Sequence, residues 1–318
     1  MKTPSRTAAP DDLRSEDLRA ADQAIAALTF EKGSGRPAAA SAPAFRRILV
    51  GVDGTGSSSM ALSWAEHVAL ATGAKVFAVM VLGPAAAGLF ARSPRRTELR
   101  EREERIGRDV LEKSVRGLEK AGLDVTGILA RGFPAFEILR VADQKRADLI
   151  IVGSHGHSGR ERLLIGSVAD SVKNNAASSV LVAKTPFGGG PVLVPVDGSR
   201  DSRAAAVVAL RLARRWAAET QVYHVFEPPV FYDPDDARDQ FRDILESIEL
   251  PTTPRGVRYL LDLGHPRRRM AEYIAESKPR LVVMGARGRS KLRTLVTGST
   301  SNHMVHQSSA SVLLVRRR

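Results

Sequence analysis

The chain of 318 residues spells one pattern twice. The first copy reads Gly153-Ser154-His155-Gly156, nine residues, then Gly166-Ser167; the second reads Gly285-Ala286-Arg287-Gly288, nine residues, then Gly298-Ser299. Apolar runs precede both (residues 149–152 and 281–284) and follow both (179–183 and 311–315), and Gly132-Phe133-Pro134 matches Gly264-His265-Pro266. Three landmarks share one offset: 264 − 132, 285 − 153 and 298 − 166 all equal 132. Upstream, Val52-Asp53-Gly54 matches Val196-Asp197-Gly198 at an offset of 197 − 53 = 144, so the first copy holds 144 − 132 = 12 additional residues between its Asp and its Gly-x-Pro. Each copy runs to about 130–140 residues, one domain's worth and too long for a solenoid repeat. The organisation expected is an arm over 1–44 and two duplicated domains over 45–186 and 190–318.

Within a copy, apolar β-branched runs alternate with helical spacing. In the first, strands are expected at 47–52, 76–82, 124–130, 149–152 and 180–183. Helices are expected at 57–71, at about 97–120, from Pro134 to about Arg146, and from about Ser167. The second copy repeats the order with a shorter second helix. This alternation predicts α/β domains, each a five-stranded parallel sheet with helices on both faces, the connections being right-handed. Ligands of such sheets bind beyond the carboxyl ends of the strands, where strand order reverses. Asp53 and Gly153 both fall just past strand ends, and they face each other if the first and fourth strands are neighbours.

The arm admits a helix over 11–28, then a Gly/Ala/Ser/Pro-rich linker at 33–43, and reads as a tail or a loosely docked segment. Its start lacks the apolar run of a secretory signal. No stretch of about 18 apolar residues occurs, so no transmembrane span is expected. With no cysteine, disulfides and thiolate chemistry are excluded, which fits a reducing cytoplasm. The net charge of +13 is spread over both halves, which favours polyanions in general without marking a nucleic-acid footprint.

The glycine pattern suggests phosphate chemistry. Gly153 and Gly156 permit a tight turn and close approach of a ligand, with N–H groups pointing inward. Gly166-Ser167 opens a helix, whose unpaired N–H groups and positive dipole end suit an anion. The Ser167 hydroxyl suits a phosphate oxygen or the helix cap. The Walker Gly-Lys-Ser/Thr ending is absent, as is a G-x-G-x-x-G after the first strand.

With the V-D-G of the first strand, G-x-x-G-x9-G-[S/T] resembles the signature of universal stress proteins, in the subgroup that binds ATP. The resemblance spans about 45–186 and 190–318. It implies ATP, with or without Mg²⁺, as ligand, pairing of the two domains through their last strands, and assembly of two chains as a common further step. It places Val52, Asp53 and Val81 around the adenine, Val152 and Gly153 near adenine and ribose, and His155, Gly156, Gly166, Ser167 and Val168 around the phosphates. In the second half the same places fall to Val196, Asp197 and Val225, then Met284, Gly285, Arg287 and Gly288, then Gly298, Ser299 and Thr300. Two positions beyond the serine of each Gly-Ser pair, Ala169 stands against Ser301, which suggests a weaker grip on the triphosphate in the first site.

Other candidates have plainer readings. His155 lacks a carboxylate to orient it as a base, which favours a phosphate-side donor. His155 and His157 have no recognisable third metal ligand. Asp53 and Asp197 suit turn formation and ligand positioning ahead of Mg²⁺ binding or base chemistry. His224 belongs to a strand and its end. Trp64 and Trp216, taken to occupy comparable places in the first helix of each copy, read as packing residues, and the run 100–104 as a solvated helix face. Three functions are weighed: an ATP-dependent regulatory module acting on a partner protein, a slow ATPase or nucleotidyl-transfer enzyme, and nucleic-acid binding, which is least favoured.

Overall fold

The computed structural model describes residues 44–83, 94–155, 165–229, 233–248, 256–287 and 298–317. The arm, up to residue 43, lies outside the described residues. The first half runs β1 (Arg47–Val52), α1 (Gly56–Thr72), β2 (Lys75–Leu82), α2 (Pro94–Lys120), β3 (Val125–Arg131), α3 (Pro134–Gln144), β4 (Leu149–Gly153), α4 (Ser167–Asn175) and β5 (Ser179–Ala183). The second runs β6 (Val192–Pro195), α5 (Arg200–Trp216), β7 (Thr220–Phe226), α6 (Pro234–Glu246), β8 (Val257–Leu263), α7 (Pro266–Ser277), β9 (Leu281–Gly285), α8 (Ser299–Gln307) and β10 (Ser311–Val315).

The ten strands among the described residues join one sheet in the order β3-β2-β1-β4-β5-β10-β9-β6-β7-β8. Every pairing is parallel except β5 with β10. The central strands are apolar on both faces because helices cover both: Leu49, Ile150 and Val180 face one layer, and Ile48, Ile151 and Leu181 the other. Each apolar layer continues through both halves, so the two domains share their cores across the β5–β10 seam.

The seam itself has two-fold character. Leu181 pairs with Leu313, and 313 − 181 = 132, the repeat offset. Equivalent residues therefore meet at the centre, and the flanking contacts are exchanged. The Arg316 amide donates to Ser179 Oγ at 3.2 Å, and the Lys184 amide to Ser311 Oγ at 3.1 Å. The symmetry breaks beneath the seam. Lys173 is fully buried, paired with Asp170 at 2.9 Å and donating to Asn302, while His306 meets the same Asp170 at 3.2 Å.

Aromatic packing fixes the linker between the halves. Phe187 stacks on His67, with centroids 3.9 Å apart, and meets Trp64 and Trp216 edge-on at 5.1 and 5.0 Å. The two tryptophans meet at 6.1 Å, and Trp64 Nε1 donates to the Thr185 carbonyl at 2.7 Å. Both pack, as expected, but their places differ. Trp64 lies 64 − 53 = 11 residues after Asp53, in the middle of α1; Trp216 lies 216 − 197 = 19 after Asp197, as the last residue of α5. They touch because α1 and α5 pass each other at the interface.

Two outcomes are expected. Trp64→Ala lowers stability in denaturant titration by about 3–5 kcal/mol, and a Trp64/Trp216 double-mutant cycle gives a coupling of about 0.5–1.5 kcal/mol. Burial lowers the Lys184 ammonium to about 8, although it donates a hydrogen bond to the Ser308 carbonyl. Folded Lys184 therefore binds fewer protons than unfolded Lys184 between pH 8 and 10.5, and stability rises with pH across that window. Relative to Lys184→Met, the wild-type chain gains on the order of 2 kcal/mol between pH 8 and 10, read from denaturation midpoints.

Candidate functional site

Strand order reverses between β1, which is followed by β2 on one side, and β4 on the other; β6 and β9 repeat this in the second half. The crevice past the ends of such neighbours is where an open parallel sheet receives ligands.

At the end of β1, Asp53 Oδ1 accepts from the Thr55 amide at 2.9 Å and the Thr55 hydroxyl at 2.6 Å. Thr55 in turn caps α1 by accepting from the Ser58 amide at 3.2 Å. Gly54 between them has φ +78°, a left-handed conformation that explains the glycine. The second half repeats the turn: Gly198 has φ +77°, Asp197 accepts from the Ser199 amide at 2.9 Å, and Ser199 from the Ser202 amide at 3.1 Å. One oxygen of each aspartate is thus committed to turning the chain into the next helix.

The first glycine of the signature has a packing role that sequence spacing did not disclose. A Cβ on Gly153 would lie 2.6 Å from the Ser57 carbonyl oxygen, and one on Gly285 would lie 2.7 Å from the Asp201 carbonyl carbon. These glycines admit the first turn of α1 and α5 against the ends of β4 and β9. Beyond them, the Gly166 amide donates to the Ser154 carbonyl at 2.6 Å, and the Gly298 amide to the Ala286 carbonyl at 2.7 Å. These bonds tie together the two ends of each loop. Gly156, His157, Gly288 and the basic residues Arg289, Lys291 and Arg293 lie outside the described residues.

Gly166 and Gly298 stand at the N-caps of α4 and α8 with φ −67° and −64°, and no side chain caps either helix. Their backbone is ordinary, so φ alone does not require glycine at either position. The first-turn N–H groups of Ser167, Val168 and Ala169 precede the first bond of the helix, from Asp170 to the Gly166 carbonyl. Those three residues line a cavity of about 800 Å³ with Val52, Asp53, Val81, Val152, Gly153, His155 and Gly166. The second half has a cavity of about 420 Å³, lined by Val196, Asp197, Val225, Met284, Gly285 and Arg287, with Gly298, Ser299, Thr300 and Ser301. Every anticipated residue within the described set therefore borders one of two cavities.

The two cavities differ at the third residue of the signature, His155 against Arg287. The His155 amide donates to Ser57 Oγ at 3.0 Å, its Nδ1 meets Ser154 Oγ at 2.9 Å, and its buried Nε2 has no partner among the described residues. At the matching place the Arg287 amide bonds the Asp201 carboxylate. Burial raises the Asp201 carboxyl above the usual range, opposed by that bond and by the charges of Arg287 and Arg316. The Ser301 hydroxyl donates to the Gly285 carbonyl at 2.7 Å. Its proton supports the β9 end, so the contrast with Ala169 concerns the scaffold before any phosphate.

Sequence reasoning missed one wall of the first cavity. Leu99, Arg102, Glu103 and Ile106 of α2 line it. The run 100–104 is exposed, as read, yet its Glu103 carboxylate accepts from the Gly83 amide at 3.1 Å and pairs with Arg131 at 3.3 Å. The available signal was Leu99 and Ile106, seven residues apart on the charged first half of that helix.

The model of the universal stress protein family matches residues 44–184 and again 190–316. The chain belongs to the universal stress protein family. A universal stress protein of Methanocaldococcus jannaschii is 35% identical over 145 residues, covering 45% of this chain and 84% of the relative. One of Mycolicibacterium smegmatis is 25% identical over 288 residues, covering 85% and 97%. The crystal structure of a universal stress protein from Archaeoglobus fulgidus superposes with a TM-score of 0.68 at 20% identity, covering 86% of this chain and 98% of that one, and shares the fold. Among the described residues, no helix is long and apolar enough to cross a membrane.

The glycine packing is open to test. Gly153→Ala pushes the first turn of α1 away from β4 and lowers stability by about 1–3 kcal/mol in denaturant titration; Gly285→Ala does the same at α5.

Proposed function

We propose that each half of this universal stress protein binds an adenine nucleotide and that the chain works as an ATP-dependent regulatory module, read by a partner protein. The observation that carries this reading is the polarity of each cavity. One end is the uncapped start of α4 or α8, with first-turn N–H donors and a positive dipole end, suited to phosphate. The other end is walled by Val52, Val81 and Val152, or by Val196, Val225 and Met284, suited to a flat apolar base. Both volumes fall in the range of small-molecule sites.

Binding is favoured over turnover by the surroundings of His155. Its Nδ1 meets a serine hydroxyl, whereas an oriented general base would meet a carboxylate. His155 Nε2 and the Arg287 side chain suit phosphate oxygens. Asp53 and Asp197 are the strand-end carboxylates that would meet Mg²⁺ accompanying ATP. Bound nucleotide alters the activity of the module only so far as it binds two conformations unequally, and the partner reads the favoured one.

The test is calorimetric. ATP titrated into the nucleotide-free chain fills two sites. Gly166→Ala weakens one and Gly298→Ala the other, each by about tenfold or more, while thermal midpoints stay unchanged because both positions have φ values that alanine adopts freely. Unchanged stoichiometry and affinity in both variants overturns the assignment.

A further inference from the structure

The two cavities diverge most at the end remote from the helix start. In the first, the pocket continues past Val81 along β2 and α2, where Met80, Leu82, Leu99 and Ile106 line it. Leu99 is 58% exposed and Ile106 54%. Of the five large apolar side chains exposed among the described residues, these two line the cleft, and Phe133 and Phe136 flank Pro134, which also lines it. None lines the second cavity. A cluster of this kind beside a cleft marks a binding surface.

The second half fills the same place with polar groups. The residue matching Met80 is His224, since 224 − 80 = 144. Its Nδ1 donates to the Val196 carbonyl at 2.7 Å, and its Nε2 meets the Gln240 amide at 3.4 Å. The ring stacks on Phe241 with centroids 5.6 Å apart. The smaller volume of this cavity, 420 against 800 Å³, agrees with that filling.

The position of the annex says which part of a ligand would meet it. β2 and β4 are separated by β1 in the sheet, so the annex lies about 10 Å from the glycine edge that suits phosphate. With phosphate held at the start of α4, the base is the part directed toward β2. Building on the nucleotide reading above, we propose that the first cavity selects adenine nucleotides carrying an apolar substituent on the base, of the N6-alkyl or N6-aryl class, and that Leu99 and Ile106 receive that substituent. The second cavity rejects them, because His224 and Gln240 occupy the equivalent space.

N6-benzyl-ATP and ATP, titrated into the full chain, provide the test. The Gly298→Ala chain isolates the first site and the Gly166→Ala chain the second. N6-benzyl-ATP binds the first site about tenfold tighter than ATP and the second at least about tenfold weaker. The Leu99→Glu/Ile106→Glu double variant changes only exposed positions of α2, and its circular dichroism and thermal midpoint verify folding. In it, the ratio of the two affinities at the first site falls to about one. Binding of ATP with equal or weaker binding of N6-benzyl-ATP at the first site overturns the annex alone, as does a preference that survives the double variant. Failure of both nucleotides to bind overturns the nucleotide reading and the annex with it.

Discussion

The antiparallel pairing of β5 with β10 organises the whole molecule. A five-stranded parallel sheet of this order would otherwise end in an open edge of unpaired backbone groups at its last strand. Joining two such edges satisfies both, and only an antiparallel arrangement lets identical edges meet through identical residues. The Leu181–Leu313 contact is that meeting point. Because the strands within each half run with β5 or β10, the two sets of carboxyl ends point in opposite directions. The two clefts therefore open at opposite edges of one sheet, while the apolar layers beneath them are continuous.

Continuity makes room for contact between the halves close to the second cleft. Arg316, just beyond β10, donates to the Lys173 carbonyl of α4 at 2.7 Å, and its charge acts on Asp201 beneath Arg287. The equivalent residue past β5 is Lys184, which reaches the Ser308 carbonyl after α8. Each half thus sends a cation to a carbonyl acceptor in the other half. Inside this frame the partners have changed together: Ser57 with His155 in the first half corresponds to Asp201 with Arg287 in the second. The charges of Arg287 and Arg316 compensate the half-buried Asp201 carboxylate, which would otherwise stand alone.

The sequence disclosed the elements and the strand-end positions because both follow from local rules. Apolar runs, Pro134 and Pro266 at helix starts, and the constant offset of 132 residues are all written in short stretches of chain. Contacts made by distant segments were harder to read. Trp64 and Trp216 looked equivalent because each is the lone tryptophan of its first helix, but the two-fold brings together different turns of α1 and α5. The charged face of α2 gave no hint that Glu103 would hold Gly83 and Arg131, since all three are far apart in the chain. Ser301 resembles a phosphate donor by position, but its hydroxyl donates to the Gly285 carbonyl at the end of β9.

The glycine signature itself divides into two kinds of constraint. Gly153 and Gly285 are demanded by the protein, since the backbone of the first turn of α1 or α5 in the same half occupies the space of a side chain. Gly166 and Gly298 are not demanded by φ or by a cap, and they stand where the uncapped helix start opens on the cavity. The uncapped start leaves first-turn N–H donors facing the cleft, and such donors suit hydrogen-bond acceptors that arrive with a ligand.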